Sequence, residues 1–288
     1  MKRIAINTGG GDAPGLNAVI CAVVRGADEL GYEVFGIRDG YEGIYEPANY
    51  PGGGVVRLGP AMVEDLAHLG GTILGTTNRG NPFARPTPQP DGTLQETDRS
   101  DELMAGLRAH AFDALIAVGG DGSLGIAHRL AAKGLWVVGV PKTIDNDLEA
   151  TVLTFGFQTA VSFATDCIDR LHSTAKSHGR IMVVEVMGRY AGWIALNAGL
   201  ASGADAILIP EIPYDLARVA AHLKRRTERR GYAIVVVAEG AAPRGGTASV
   251  KARELGRAEQ LGGIGERVAT ELGPLTDRET RAVVLGHL

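Results

Sequence analysis

At 288 residues, with 45% hydrophobic and 22% charged side chains, the chain can bury a sizeable core and has room for one large domain or two smaller ones. A net charge of −4 gives no general reason for nucleic-acid or membrane binding, so an anionic ligand would need a local cluster of Arg and Lys. No apolar run is long enough to span a membrane, no signal peptide precedes the first strand-like run, and Cys21 and Cys167 read as buried thiols of a reducing compartment, so the cytoplasm is expected.

In chain order, short β-branched runs predict strands at residues 3–8, 33–37, 72–74, 114–118 and 136–140, then at 181–186, 206–209, 233–238 and 282–285. Many are apolar on both faces, the mark of parallel strands covered by helices on both sides. Helical patterns fall between them at 15–30, 101–111, 122–133, 159–174, 191–202 and 216–229. This alternation predicts an α/β fold with mostly parallel sheets. Residues 78–100, rich in Pro, Gly, Thr and Asp, read as a long loop or hairpin, and 240–251 as a flexible stretch. A domain boundary is expected near 148–156.

The motifs sit where strands end. Thr8-Gly9-Gly10-Gly11-Asp12-Ala13-Pro14-Gly15 follows the first strand. Its glycines let backbone approach a ligand, and the next helix N-terminus favours an anion; an ordinary strand–turn–helix connection would look the same. Gly119-Gly120-Asp121-Gly122-Ser123 leaves room for a polyphosphate, and Asp121 can coordinate Mg²⁺ directly or through water. Similar runs occur in NAD kinases and diacylglycerol kinases.

Pro141-Lys142-Thr143-Ile144-Asp145-Asn146-Asp147 places two carboxylates two residues apart, just past a strand. One could hold metal while another accepts a hydroxyl proton, although a lone Asp-x-Asp is often a turn with a helix cap. Further on, Ser177-His178-Gly179-Arg180 and Glu185-Val186-Met187-Gly188-Arg189 bracket a strand with arginines in glycine turns, where a guanidinium can reach a phosphate. Ala238-Glu239-Gly240 puts another acid at a strand end, and Arg281 and His287 flank the last apolar run.

In this order the segments resemble the 6-phosphofructokinase family, from Arg3 to Leu288. The resemblance implies two Rossmann-like α/β domains with the active site in the cleft between them. It assigns a phosphate-donor domain to residues 1–156 and a sugar-phosphate domain to 157–288. It also implies a cytoplasmic homotetramer or homodimer, acting in glycolysis on fructose 6-phosphate with Mg²⁺.

Carried over by motif, Gly11, Gly119, Gly120, Gly122 and Ser123 would line the donor phosphates, with Asp121 serving Mg²⁺. Asp145 would be the base, ionised at neutral pH, with Thr143 and Asp147 positioning the reacting groups. Arg189 would stabilise the transferring charge and, with Met187 and Gly188, contact the sugar phosphate. Glu239 would take a sugar hydroxyl. Arg180, Arg281 and His287 would bind the substrate, the two arginines being of a kind that a neighbouring subunit can supply.

The family uses ATP or pyrophosphate. Pyrophosphate users typically carry Asp at the place of Gly122, where it would collide with a nucleotide's α-phosphate; glycine favours ATP. Lys142 is typical of the pyrophosphate branch and can neutralise a phosphate in either case, so pyrophosphate stays the alternative donor. Arg79 is the candidate to bridge the substrates, since Asn78 stands where the common bacterial enzymes have that arginine. Cys21 and His172 replace two effector-binding arginines, although Arg25 and Arg230 remain, so a weak or absent effector response is expected. The family pattern continues past Leu288 into a Gln-Arg-Gly-Gly turn and tens of residues of donor domain, so the sequence is expected to be part of a longer chain. A non-catalytic sugar-phosphate or nucleotide sensor is the competing reading.

Overall fold

The computed structural model describes residues 2–252 and 260–287. The chain forms two compact units, Met1–Thr143 with Leu148–Gly156, and Ile144–Asp147 with Phe157–Leu288. The strip Ile144–Asp147 therefore groups with the second unit although its chain neighbours on both sides belong to the first.

In the first unit the elements are β1 (Arg3–Thr8), α1 (Leu16–Glu29), β2 (Glu33–Ile37), α2 (Glu42–Tyr45), β3 (Val55–Leu58), α3 (Pro60–Val63), β4 (Arg85–Pro88), β5 (Leu94–Thr97), α4 (Ser100–Ala109), β6 (Ala114–Gly119), α5 (Asp121–Ala132), β7 (Val137–Thr143) and β8 (Phe155–Gly156). The sheet order is β3-β2-β1-β6-β7-β8, parallel except for the antiparallel edge strand β3. Successive side chains of a strand point to opposite faces. Ile6 and Val118 accordingly join Leu16, Ile20 and Val24 of α1 in one core, while Ala5, Leu115 and Ala117 join Leu103, Leu107 and Leu130 in the other.

In the second unit follow α6 (Phe157–His178), β9 (Ile181–Val186), α7 (Trp193–Ala201), β10 (Ala206–Leu208), α8 (Leu216–Arg230), β11 (Ala233–Ala238), β12 (Val250–Ala252), β13 (Gln260–Leu261), α9 (Ile264–Thr276) and β14 (Thr280–Val284). The main sheet runs β10-β11-β9-β14, all parallel. Met182, Val184, Ile234 and Val236 pack with residues of α6 and α7. Ile181, Val183, Val235 and Val237 pack with Leu223 of α8 and Ile264, Val268 and Leu272 of α9. Asp215 caps α8 by accepting the Ala217 and Arg218 amides, and Gly231, in the left-handed region at φ 86°, ends it.

The expected α/β class holds, with four local differences. Residues 72–74 are not a strand. The buried Asn17 side chain donates to the carbonyls of Leu69 and Gly70 and accepts the Ile73 amide, so this backbone bonds to a side chain rather than to a sheet. Strand β7 is not covered on both faces, since Trp136 just before it is 80% exposed and Val138 within it 59%. The stretch after Gly240 is partly held, by bonds from Tyr214 to Ala242 and from Arg244 to Tyr214. Helix α9 carries Gly265, Gly273 and Pro274, which mask its pattern in the sequence, yet its apolar stripe seals one sheet face.

Asn17→Ala leaves two carbonyls and one amide without their partner, at a cost of about 2 kcal/mol or more. Denaturant unfolding should show a lower midpoint with an unchanged slope.

Candidate active site

The first unit builds a glycine-lined turn at the carboxyl ends of β1 and β6, where open α/β sheets bind ligands. The Gly9 amide donates to Val118 and the Gly10 amide to Thr77, while the Thr76 hydroxyl donates to the Gly10 carbonyl at 2.5 Å. Thr8, wholly buried, donates to the Gly75 carbonyl at 2.7 Å. Residues 75–77 are thereby stapled to the turn.

Helix α5 begins at Asp121 with Gly120 as its cap residue, so its first amides and the Ser123 hydroxyl lie beside this turn. A Cβ placed on Gly9 would stand 2.7 Å from the Ser123 oxygen, which shows how close the two turns are. By contrast, a Cβ on Gly11 or Gly122 would meet nothing within 4 Å. The face of the turn is open.

Lys142, on β7, is 4% exposed and donates its ammonium to the Gly11 carbonyl. Burial pulls its pKa down, and Asp12 pulls it back up. A buried ammonium beside this turn favours an anion close to it. Thr143 ends the same strand, and its carbonyl accepts the Thr154 hydroxyl at 2.6 Å. Arg79 is exposed, with its amide on the Thr77 hydroxyl at 3.1 Å.

Asp121 is an exposed carboxylate in the first turn of α5. Among the described residues no group of three or more His, Cys, Asp or Glu could hold a metal alone. Mg²⁺ is usually bound by one or two carboxylates together with phosphate oxygens and water. Asp121 is the residue that would hold it here.

The second unit gathers acids around one arginine. Burial first, then Asp147, then Glu239, push the Asp145 carboxyl up to about 6, against the opposing pull of Arg189. Glu239 is also raised, by burial and Glu185, with Arg189, His287 and the amide of Gly188 pulling the other way. These effects place Asp145, Asp147, Arg189, Glu239 and His287 in one electrostatic neighbourhood. Asp145 is still mostly ionised at neutral pH, but it is not the ordinary acid that the sequence suggested.

Strand pairing explains the grouping. Ala238 pairs with Val186, and the Glu239 amide bonds the Val186 carbonyl at 2.9 Å, so Glu239 lies beside the Met187–Gly188–Arg189 turn. The fit leaves no room for a side chain on Gly240, whose Cβ would overlap the Arg189 carbonyl. Gly188, at φ 137°, stands in a region closed to other residues. Met187 half-buries itself against the core and fixes the turn from below.

Arg180 and Arg281 are elsewhere. They sit at the starts of β9 and β14, both bonded at 2.7 Å to Glu279. The strands are parallel, and six residues at about 3.3 Å each separate these ends from the other edge by roughly 20 Å. Within one chain the two arginines do not reach Arg189, Glu239 or His287. Sequence reasoning assigned no role to Glu185, although an acid inside an otherwise apolar strand was the available signal.

An open glycine turn with a buried lysine thus stands at strand ends of the first unit's sheet, and an acid–arginine cluster stands at strand ends of the second unit's sheet. A family model described as Phosphofructokinase matches residues 3–288. The chain belongs to the phosphofructokinase family. It is 52% identical to an ATP-dependent 6-phosphofructokinase of Chloroflexus aurantiacus, across 100% of this chain and 77% of that protein. It is 49% identical to a pyrophosphate–fructose 6-phosphate 1-phosphotransferase of Amycolatopsis methanolica, across 99% of this chain and 79% of that one. Among solved structures, phosphofructokinase from Saccharomyces cerevisiae superposes with a TM-score of 0.78 at 32% identity, covering 100% of this chain and 38% of the yeast chain.

The raised Asp145 pKa favours the folded state when Asp145 is protonated. This stabilisation is full below about pH 4 and is lost as pH rises through about 6. Asp145→Asn should therefore be more stable than the wild type at about pH 8, with the difference gone by about pH 4. Thermal melts across that range measure it.

Proposed function

We propose that this chain transfers the γ-phosphoryl group of ATP to the 1-hydroxyl of fructose 6-phosphate, giving fructose 1,6-bisphosphate and ADP in glycolysis. The observation that carries this reading is Asp145, an acid of raised pKa set among Asp147, Glu239 and Arg189. Such a group orients a hydroxyl and takes its proton as the new O–P bond forms and the donor P–O bond breaks. Arg189 spreads charge on the transferring group, a contact commonly worth on the order of 10²–10³ in rate. Met187, Gly188, Glu239 and His287 hold the sugar phosphate. Gly11, the turn at residues 119–123, Lys142 and Arg79 hold the donor, and Thr143 and Asp147 position the reacting groups. Mg²⁺ at Asp121 would bridge and neutralise donor phosphates. Residues 1–156 supply the donor-binding part and 157–288 the sugar-phosphate part, with Ile144–Asp147 joining the latter.

Two observations bear on the donor. The space in front of Gly122 is open, so a nucleotide's α-phosphate meets no side chain there. Lys142 is held by the Gly11 carbonyl beneath the turn, so its charge can support either donor without blocking a nucleotide. A second reading, pyrophosphate as donor, draws on Lys142 and on the Amycolatopsis relative.

Arg180 and Arg281 point to a further requirement. Lying at the opposite strand ends from Arg189, they act on substrate only in a second copy's site, so the working protein is a homodimer or homotetramer. Supporting a blunt effector response, Arg230 is engaged by its own chain, 3.6 Å from Asp205 and stacked on Tyr232, and Arg25 donates to the Glu64 carbonyl at 3.3 Å.

The direct test incubates full-length protein with fructose 6-phosphate and Mg²⁺, with ATP and pyrophosphate in parallel. Bisphosphate should form from ATP; none from either donor would sink the enzyme reading, and product from pyrophosphate alone would reverse the donor. Gly122→Asp should fold normally, because its Cβ enters open space. Its carboxylate would oppose a nucleotide phosphate at several kcal/mol, lowering kcat/KM for ATP by on the order of 10²–10³. Adding ADP or phosphoenolpyruvate should leave sugar-phosphate affinity unchanged within about twofold.

A further inference from the structure

Glu185 is the single acid of β9, whose other residues are Ile181, Met182, Val183, Val184 and Val186. It is 3% exposed. A carboxylate so buried needs partners that satisfy its oxygens. The Gly263 amide donates to one oxygen at 3.1 Å and the Gly265 amide to the other at 2.8 Å. Both donors come from the start of α9, where free amides and the helix dipole favour a negative charge.

The same position also registers two strand ends. The Glu185 carbonyl accepts the Leu285 amide at 3.0 Å, two residues before His287. The adjoining Val186 carbonyl accepts the Glu239 amide at 2.9 Å. Directly after Val186 the chain turns through Met187, Gly188 and Arg189. Helix α9 packs on both β9 and β14, so its placement bears on both strands. The fit is tight, since a Cβ on Gly265 would stand 3.0 Å from the Glu185 Cβ and 3.1 Å from its nearer oxygen. A valine here would complete the apolar strand but leave both glycine amides without this acceptor.

We propose that Glu185 is a positioning residue of the sugar-phosphate site. By tying the start of α9 to β9, it fixes the strand ends that present Arg189, Glu239 and His287, without itself touching the substrate. The proposal rests on the sugar-phosphate reading of that sheet edge. Its charge is also felt there, because Glu185 is among the groups that push the Glu239 carboxyl up.

The test uses full-length protein and steady-state kinetics. Glu185→Gln keeps the size of the side chain but offers one acceptor and one NH₂ donor, so one glycine amide faces another N–H. The KM for fructose 6-phosphate should rise about tenfold or more while the KM for the donor stays within about twofold. A purely structural residue would instead lower the melting temperature and the active fraction with both KM values unmoved, and that result overturns the proposal.

If Glu185→Gln does not fold, Gly265→Ala carries the same test, because it presses on the carboxylate while keeping its charge. An unchanged sugar-phosphate KM in that variant overturns the proposal equally. A wild type that makes no bisphosphate refutes the phosphotransferase reading instead. Calorimetric titration with fructose 6-phosphate then decides the Glu185 question by the same ratio of affinities, absence of binding counting against it.

Discussion

Strand β9 is hydrogen-bonded along both edges, to β11 and to β14, with all three strands parallel and every β9 residue buried. Parallel pairing puts equivalent strand ends at one edge of a sheet. Here that edge collects Met187–Gly188–Arg189, Glu239 and the approach to His287 from three separate stretches of chain. A one-residue slip would exchange the faces of the slipped strand and set Val or Ile of β9 against the wrong helices. The register is therefore fixed by burial, and the chemistry inherits that precision. Arg180 and Arg281 are held at the other edge by the same rule.

The first unit solves a different problem. In the glycine turn a Cβ on Gly11 would meet nothing within 4 Å, so side chains do not fill that face. Thr8 and Thr76 bind it through backbone carbonyls from behind, and Lys142 rises beneath it to the Gly11 carbonyl. The face is left to backbone amides, glycines and the start of α5. The arrangement is costly, because an ammonium is buried with the Gly11 carbonyl and a nearby Asp12 as its partners.

Asp145 shows the complementary tension. Burial with Asp147 and Glu239 nearby lifts its pKa to about 6, while Arg189 restrains the rise. A carboxyl raised in this way gains proton affinity at the expense of the fold at neutral pH. Asn146, between the two acids, adopts a left-handed backbone at φ 53°, a conformation Asn tolerates better than most residues. The short acidic turn is thus irregular for a stated local reason.

Much of this could be read from the residues. Apolar β-branched runs alternating with amphipathic segments determined the α/β class, because burial period and backbone propensity agree there. Glycine turns and acids at strand ends marked both candidate sites. The sequence could not show that residues 72–74 bond to the Asn17 side chain, since that contact spans more than fifty residues. It could not reveal α9, whose glycines and proline oppose helix until the sheet face rewards its apolar stripe. Nor could it separate Arg180 and Arg281 from Arg189, or give Glu185 its partners. Those depend on strand direction and on amides far along the chain. Local chemistry is written in the order of residues, whereas which groups share an edge, and which acids feel each other's charge, is decided only when the strands pair.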